Sequence, residues 1–220
     1  MKILAIETAT PIASVAVKIG DRLFERRLAD PAARAEGVLD LLRALLADTG
    51  LDLGAIDVIA FGRGPGSFTG LRVAAAVAQG LAYARGLPVI PISSLAALAQ
   101  QAQGTEILAA IDARRDEVYY GLFHRAEDGL VEPVGPEGLG PPASLERPQG
   151  ACIGIGNGFD HYAAILRARC DIPYESHKVP GAQAIAVLAE RAFRRGEQVI
   201  PSRALPVYLR DDVAKPGRAP

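Results

Sequence analysis

The sequence predicts an α/β protein made of two related halves, the second of which is reduced. The first hundred residues read as strands interspersed with helices, which is typical of a mixed sheet with helical crossovers. The opening pattern of an apolar strand, an acid, a short turn and a second strand returns about 105 residues later, where Asp112 takes the place of Glu7. Between these two patterns a glycine-rich loop, GRGPGSFTGLR at 62–72, joins a strand to a helix.

We assign residues 1–103 to the first half. Short apolar or alternating segments between turn residues predict its strands, which are residues 2–7, 13–19, 22–28, 56–61 and 89–92. Apolar residues at helical spacing predict its helices, which are residues 31–49, 71–85 and 95–103. Gly50 and Gly86 follow the first two helices, as expected for residues that end a helix.

We assign residues 104–220 to the second half. Its predicted strands are residues 107–112, 117–123 and 151–155, and its predicted helices are residues 160–169 and 183–195. Residues 128–150 are rich in proline and glycine and predict a long irregular excursion. A short extended segment is expected at 204–210, and the last residues, KPGRAP, are expected to be disordered.

The composition argues against several classes of protein. With 24 basic and 25 acidic residues, the chain lacks the basic excess typical of a protein that binds nucleic acid by its own surface. The pairs Arg114-Arg115 and Arg194-Arg195 could form basic patches, although solvated faces are the commoner outcome. The two cysteines form no CxxC motif, and Glu7 interrupts an N-terminal apolar run too short to be a signal or a membrane span. We therefore expect a cytoplasmic protein with no membrane contact.

Two interpretations of the glycine loop stay open. Its backbone N–H groups and the N-terminus of the next helix would suit a phosphate, but Ser67 or Thr69 could equally cap a purely structural turn. The loop matches neither a Walker A loop nor GxGxxG. A degenerate nucleotide site would also draw on the two strand-end acids, which face one cleft if the halves are related. The candidate residues are Glu7, Thr8, Gly64, Gly66, Ser67, Thr69 and Asp112.

No set of residues with matched catalytic roles stands out. The three histidines lie far apart in the sequence and form none of the motifs HxxH, HxxxH or HxxE, so we expect no metal site. Ser67 does not lie in a GxSxG elbow. Glu7 and Asp112 could act as paired carboxylates, or each could simply end a strand and cap a turn. We expect no catalytic residue and no cofactor other than a weakly bound nucleotide.

The first helix carries an unusually wide apolar stripe, with six large aliphatic residues between Val38 and Leu46. Packing on its own sheet is the usual outcome, but part of so wide a stripe could be a docking face. With the helix at 71–85 it gives the candidate interface residues Leu39, Leu42, Leu45, Leu46, Val73, Val77 and Leu81.

Five segments together resemble the TsaB family, also called YeaZ, of the bacterial machinery that makes threonylcarbamoyladenosine in tRNA. They are ILAIETAT at 3–10, GRGPGSFTGLR at 62–72, SSLAALAQ at 93–100, AIDARRDEVYYGLF at 110–123 and PVYLRDDVA at 206–214. The resemblance implies the actin-like (ASKHA) fold, in agreement with the duplication. It also implies a non-catalytic paralogue of the transferase subunit TsaD, since the chain lacks the histidine motif that TsaD carries.

The resemblance further implies how such a subunit works. It would pair with TsaD through the helices at 32–49 and 71–85, support transfer to adenosine 37 of tRNA, and meet tRNA and the ATPase TsaE only within the assembly. A homodimer through the same helices is expected when the partner is absent. Many members have a histidine where this chain has Arg34. Two alternatives remain: a nucleotide-dependent kinase or transferase using Gly62–Gly70, and a peptidase using Ser67.

Overall fold

The computed structural model describes residues 1–28 and 34–210, and only the backbone of residues 34–36. The expected helix start at Pro31, the side chain of Arg34 and the expected disorder of KPGRAP lie outside this part. The first half contains β1 (Lys2–Glu7), β2 (Ala13–Ile19), β3 (Arg22–Leu28), α1 (Arg34–Thr49), β4 (Val58–Gly64), α2 (Phe68–Arg85), β5 (Val89–Ser93) and α3 (Ser94–Ala99).

The second half continues with β6 (Glu106–Arg114), β7 (Glu117–Arg125), β8 (Val131–Pro133), β9 (Gly138–Gly140), β10 (Cys152–Ile155), α4 (Asn157–His161), α5 (Ala163–Cys170), β11 (Tyr174–Glu175) and α6 (Ala182–Arg194). Single 3-10 turns occur at Leu53–Ala55, Pro142–Ser144 and Pro201–Arg203.

The two sheets have the same strand order, which confirms the predicted duplication. The first sheet runs β3-β2-β1-β4-β5, with β1 antiparallel to β2 and parallel to β4. The second runs β8-β7-β6-β10-β11, with β6 antiparallel to β7 and parallel to β10. Glu7 pairs with Ser14 and Asp112 with Val118, so Glu7 ends the first strand of its hairpin and Asp112 lies two residues before the end of the corresponding strand.

Two predictions for the second half are wrong. Residues 128–150 are not wholly irregular, because β8 and β9 both pair with β7. Short strands at a sheet edge tolerate the prolines and glycines that hide them in the sequence. The predicted helix 160–169 begins earlier, at Asn157, and is divided between α4 and α5 at Tyr162, which has a non-helical backbone.

A core shared by both halves lies between the two sheets. It joins residues of β1 and β4, such as Ile3 and Ala60, to residues of β6 and β7, such as Ile107 and Phe123. Helix α6 belongs to the second half in sequence but packs across β1 and β2. The division at 103/104 therefore separates the sheets but not the core, and two separate domains stay a prediction.

First-half side chains satisfy the N-terminus of α6. The backbone N–H of Ala182 donates to Ser14 Oγ at 2.9 Å, and that of Gln183 donates to Glu25 Oε1 at 3.2 Å. Helix N-termini leave several N–H groups without an intrahelical acceptor, so these bonds hold α6 in place on the first sheet.

Candidate functional site

A cleft of about 330 Å³ lies where the two hairpin turns approach each other. The first half contributes the turn at Thr10–Pro11 and the start of α2 with its preceding loop. The second half contributes Asp112–Arg115 and Asn157, and the chain returns at Val207–Arg210 to line the cleft as well. This is the cleft that the duplicated architecture predicts.

Three glycines of the loop let it approach the end of β1 closely. A Cβ atom at Gly62 would overlap the Glu7 carboxylate, and one at Gly70 would overlap the carbonyl oxygen of Thr8. A Cβ at Gly66 would lie 2.6 Å from the carbonyl oxygen of Ala9. Close backbone approach therefore explains these glycines without any ligand.

The polar groups of the loop bind protein atoms. The N–H of Ser67 donates to the Ala9 carbonyl at 2.7 Å, and Ser67 Oγ accepts from the N–H of Gly70 at 3.4 Å as the N-cap of α2. The hydroxyl of Thr8 donates to the Gly70 carbonyl at 2.6 Å. At these positions the geometry favours the structural turn over the phosphate site.

Glu7 lies behind the loop and does not line the cleft. Its carboxylate is fully buried and accepts hydrogen bonds from the N–H of Ala9 at 2.6 Å and from Ser94 Oγ at 2.8 Å. Burial raises the pKa of Glu7 above its usual value, and the hydrogen bonds only partly oppose this shift. The side chain ties the end of β1 to the start of α3.

Asp112 lines the cleft and is held by its own hairpin. Its Oδ1 accepts from the N–H of Arg114 at 2.9 Å and from the hydroxyl of Tyr162 at 3.3 Å. Its N–H donates to Asn157 Oδ1 at 3.1 Å. Since Glu7 and Asp112 have different partners and only one of them reaches the cleft, the structure gives no support to a paired-carboxylate site.

Of the seven candidate nucleotide residues, three line the cleft: Gly66, Ser67 and Asp112. Gly64 has a left-handed backbone and packs against Leu71 and the Val207 carbonyl, while Thr69 is exposed on α2. The cleft thus gathers only part of the predicted set.

Sequence reasoning missed the contribution of the β6–β7 turn to this cleft. Arg114, Arg115 and Asp116 all adopt left-handed backbone conformations, with φ between 56° and 61°. Non-glycine residues rarely do so in succession, and no glycine or asparagine marks the turn in the sequence. The sequence indicates the two arginines only as a candidate basic patch on the surface.

Residues 204–210 form a strap across the cleft, a role that the sequence did not indicate. The N–H of Val207 donates to the Arg63 carbonyl at 2.8 Å, and the ring of Tyr208 lies 5.3 Å from that of Phe68. Arg210 crosses to the second half, where it pairs with Glu117 at 2.6 Å and donates to the Ala113 carbonyl at 3.1 Å.

The structure changes the candidate docking face. Leu42 and Leu45 are 4% and 2% exposed and belong to the core between α1 and the first sheet, so their assignment to an interface is wrong. Their stripe is wide because α1 packs on β2 and β3 and also touches α2. Leu39 is 39% exposed, whereas four others are partly buried against the same core: Leu46, Val73, Val77 and Leu81.

Within residues 1–28 and 34–210, no three His, Cys, Asp or Glu side chains gather closely enough to hold a metal ion. His124 is paired with Glu106, and the His161 ring packs edge-on against Tyr162. No helix in the same part of the chain is long and apolar enough to cross a membrane.

Comparison with known proteins extends over almost the whole chain. The model of the TsaD family, described as tRNA N6-adenosine threonylcarbamoyltransferase, matches residues 32–217. The tRNA threonylcarbamoyladenosine biosynthesis protein TsaB of Escherichia coli is 35% identical, with 97% of this chain and 96% of that protein aligned. The TsaB protein of Haemophilus influenzae is 33% identical, with 99% and 98% aligned.

A solved structure agrees with these relatives. YeaZ from Pseudomonas aeruginosa superposes with a TM-score of 0.89 at 39% identity, and the match covers 94% of this chain and 99% of that one. The sequence motifs, the repeated sheet order and the full-length similarity all point the same way. The chain therefore belongs to the TsaB (YeaZ) family, within the wider TsaD family of actin-like folds.

Proposed function

We propose that this chain acts in the biosynthesis of threonylcarbamoyladenosine in tRNA as a non-catalytic subunit that pairs with TsaD. Two relatives aligned over nearly their full length are named as proteins of this pathway, which supports the pathway assignment. The observation that carries the pairing is the outward face of α2.

That face carries no charged residue between Arg72 and Arg85. Its exposed residues at four-residue spacing are Ala76, Gly80 and Ala84. A Cβ added at Gly80 would meet no atom within 4 Å, so the packing of this chain does not require glycine there. Glycine inside a helix costs about 1 kcal/mol relative to alanine. A partner helix that approaches closely would explain why the position is small.

The arrangement of the loop supports a non-catalytic role. Thr8, Ser67 and Glu7, which could otherwise serve a ligand or a reaction, form hydrogen bonds that fasten the loop to β1 and α3. In this proposal TsaD performs the transfer, and TsaE and tRNA are met only within the assembly.

The test is to mix the purified chain with TsaD and measure both complex formation and threonylcarbamoyl transfer to tRNA. We expect complex formation and more transfer than TsaD gives alone. Ala76→Glu should abolish both, because it places a charge at the centre of the α2 face. Ala168→Glu, on an exposed position of α5, is the matched control and should change neither. A wild-type chain that leaves transfer unchanged would refute the proposal.

A nucleotide in the cleft is the second candidate, favoured by one observation. Arg114 and Arg115 line the cleft of about 330 Å³ together with Ser67 and Asn157, although Arg114 is also paired with Asp112 at 3.4 Å. Cationic and amide groups of this kind can bind phosphates. Calorimetry with millimolar magnesium nucleotide tests it, and heat that is lost in an Arg114→Ala, Arg115→Ala double variant is the expected result. If no saturable heat is observed, the nucleotide hypothesis is refuted, whereas the proposed pairing with TsaD is unaffected.

A further inference from the structure

The exposed large apolar side chains are unevenly distributed. Within the described part of the chain nine such side chains are exposed, and five of them lie on α2 or on residues 200–208: Phe68, Tyr83, Ile200, Leu205 and Tyr208. Tyr83 is 84% exposed, and Ile200 and Leu205 are 61% and 60% exposed. Such clustering marks a protein contact more often than scattered single residues do.

Residues 200–208 run beside α2 in the opposite direction. Gln79 Nε2 donates to the Ala204 carbonyl at 3.1 Å, and nearer the start of α2, Arg72 Nε donates to the hydroxyl of Tyr208 at 3.3 Å. One face of α2 carries Phe68, Arg72, Gln79 and Tyr83, which are spaced as neighbours on a helix surface. Because Arg72 and Gln79 donate hydrogen bonds to the segment, this face is turned toward it. The segment therefore borders the small exposed residues Ala76, Gly80 and Ala84, and α1 also contacts α2.

The charge of this surface has one sign. Residues 68–85 and 200–210 contain four arginines and no acid, although the whole chain has 25 acids and a net charge of −1. Arg72, Arg85 and Arg203 are exposed, while Arg210 is paired with Glu117. The surface thus combines exposed apolar side chains with arginines and contains no acid, which suits a partner face that is apolar and carries acids.

We propose that residues 200–208 form, together with α2, a second wall of the docking surface, and that the partner face opposite them is apolar with carboxylates at its edge. This inference rests on the proposed function, since the occupant is the TsaD-type partner. A second copy of this chain fits less well. A two-fold contact of the surface with itself would bring arginines against arginines.

RNA also fits this surface less well than a protein does. Ile200 and Leu205 offer aliphatic area with no hydrogen-bonding group, whereas RNA is recognised by stacking, phosphate contacts and base edges. The guanidinium of Arg72 lies 3.8 Å from the centroid of the Phe68 ring and covers one face of it. A base would have to displace this contact in order to stack there.

The test compares the binding of variants of the full chain to purified TsaD by calorimetry. The double variant Ile200→Ser, Leu205→Ser should bind about 100-fold more weakly, because central apolar side chains dominate interface energetics. Arg203→Glu should weaken binding about tenfold and reduce its salt dependence. The matched control is Val134→Ser, Ile165→Ser, which removes two exposed apolar side chains elsewhere and should bind like the wild type.

Three results would overturn the inference, and they can be told apart. All variants should keep the circular dichroism and unfolding midpoint of the wild type, because the side chains are exposed. If the folded double variant binds TsaD within twofold of the wild type, the inference is overturned and the proposed function stands. If the wild type does not bind TsaD, both are overturned. The inference is also overturned if the double variant binds TsaD normally but loses only tRNA binding, or loses only self-association as measured by sedimentation.

Discussion

A single buried carboxylate shows how individual residues shape this molecule. Glu7 ends β1, as the sequence predicts, but its side chain does not line the cleft that Asp112 lines. Its carboxylate accepts hydrogen bonds from the turn at Ala9 and from Ser94 at the start of α3. It also packs so closely on Gly62 that a side chain there would occupy the same space. The same acid that resembles a catalytic group in the sequence is therefore a structural one in the fold.

We expect Glu7 to make stability depend on pH. Burial raises its pKa in the folded chain, so the folded state keeps the proton at pH values where the unfolded state has released it. The contribution is fully present below the usual pKa of 4.5 and is lost as the pH rises through the raised value. Denaturant unfolding at several pH values should show the wild type losing stability relative to Glu7→Gln as the pH rises. The exposed-acid variant Glu127→Gln is the control, and identical slopes for wild type and Glu7→Gln would contradict this expectation.

Two glycines should respond to alanine in opposite directions. Gly70→Ala places a methyl group on the Thr8 carbonyl, and we expect it to destabilise the chain by about 3 kcal/mol or more because the backbone must move. Gly80→Ala meets no atom and should stabilise the free chain by about 0.5–1 kcal/mol. Unfolding free energies of the two variants check this. A destabilised Gly80→Ala would show that the chain itself requires glycine there.

At the scale of elements, α2 is determined mostly by local signals and the strap at 204–210 is not. Helix α2 has a serine cap, alanine-rich turns and a left-handed Gly86 at its end, all of which are legible in the sequence. It begins at Phe68, three residues before the predicted start, because the cap is Ser67 itself. The strap has no regular secondary structure, so its position depends entirely on distant contacts with Arg63, Phe68 and Glu117.

The cap offers a test of the peptidase alternative. Ser67→Ala should lower stability by about 0.5–1 kcal/mol, the lower part of the range for lost caps, because its hydrogen bond to Gly70 is long at 3.4 Å. The variant should still support TsaD-dependent transfer, because the hydroxyl of Ser67 caps the helix. Thermal unfolding and the transfer assay measure the two effects. A stable variant that has lost all function would instead favour a chemical role for Ser67.

At the scale of the whole molecule, the sequence repeat suggests two domains, whereas one large core cluster contains residues of both halves. Residues from both sheets and from α6 pack in one cluster, and α6 covers the first sheet although the sequence places it in the second half. The repeat is legible because each strand pair has its own local pattern. The packing of α6 on the first sheet cannot be predicted from the sequence, because an amphipathic helix does not specify which sheet it will cover.

We therefore expect the chain to unfold in one cooperative transition. Leu188→Ala, which empties a buried position of α6, should lower the stability of the whole chain by about 2–4 kcal/mol. Calorimetry of the wild type and the variant should show a single peak that shifts. The separate fragment 1–103 should fail to fold, because it exposes the sheet face that α6 covers. Two resolved transitions, or a folded fragment, would show that the halves are independent domains.

The sequence by itself determined the order of strands and helices in the first half, the duplication, the family and the glycine loop, because these depend on periodicity and on residue types that act over a few positions. The tertiary structure alone decided the placement of Leu42 and Leu45 in the core, the closing of the cleft by residues 204–210 and the crossing of α6 to the other sheet. These features arise from contacts between segments far apart in the chain. Which apolar surfaces meet is decided by the shape and area that the assembled elements leave to be buried, and no local pattern encodes that.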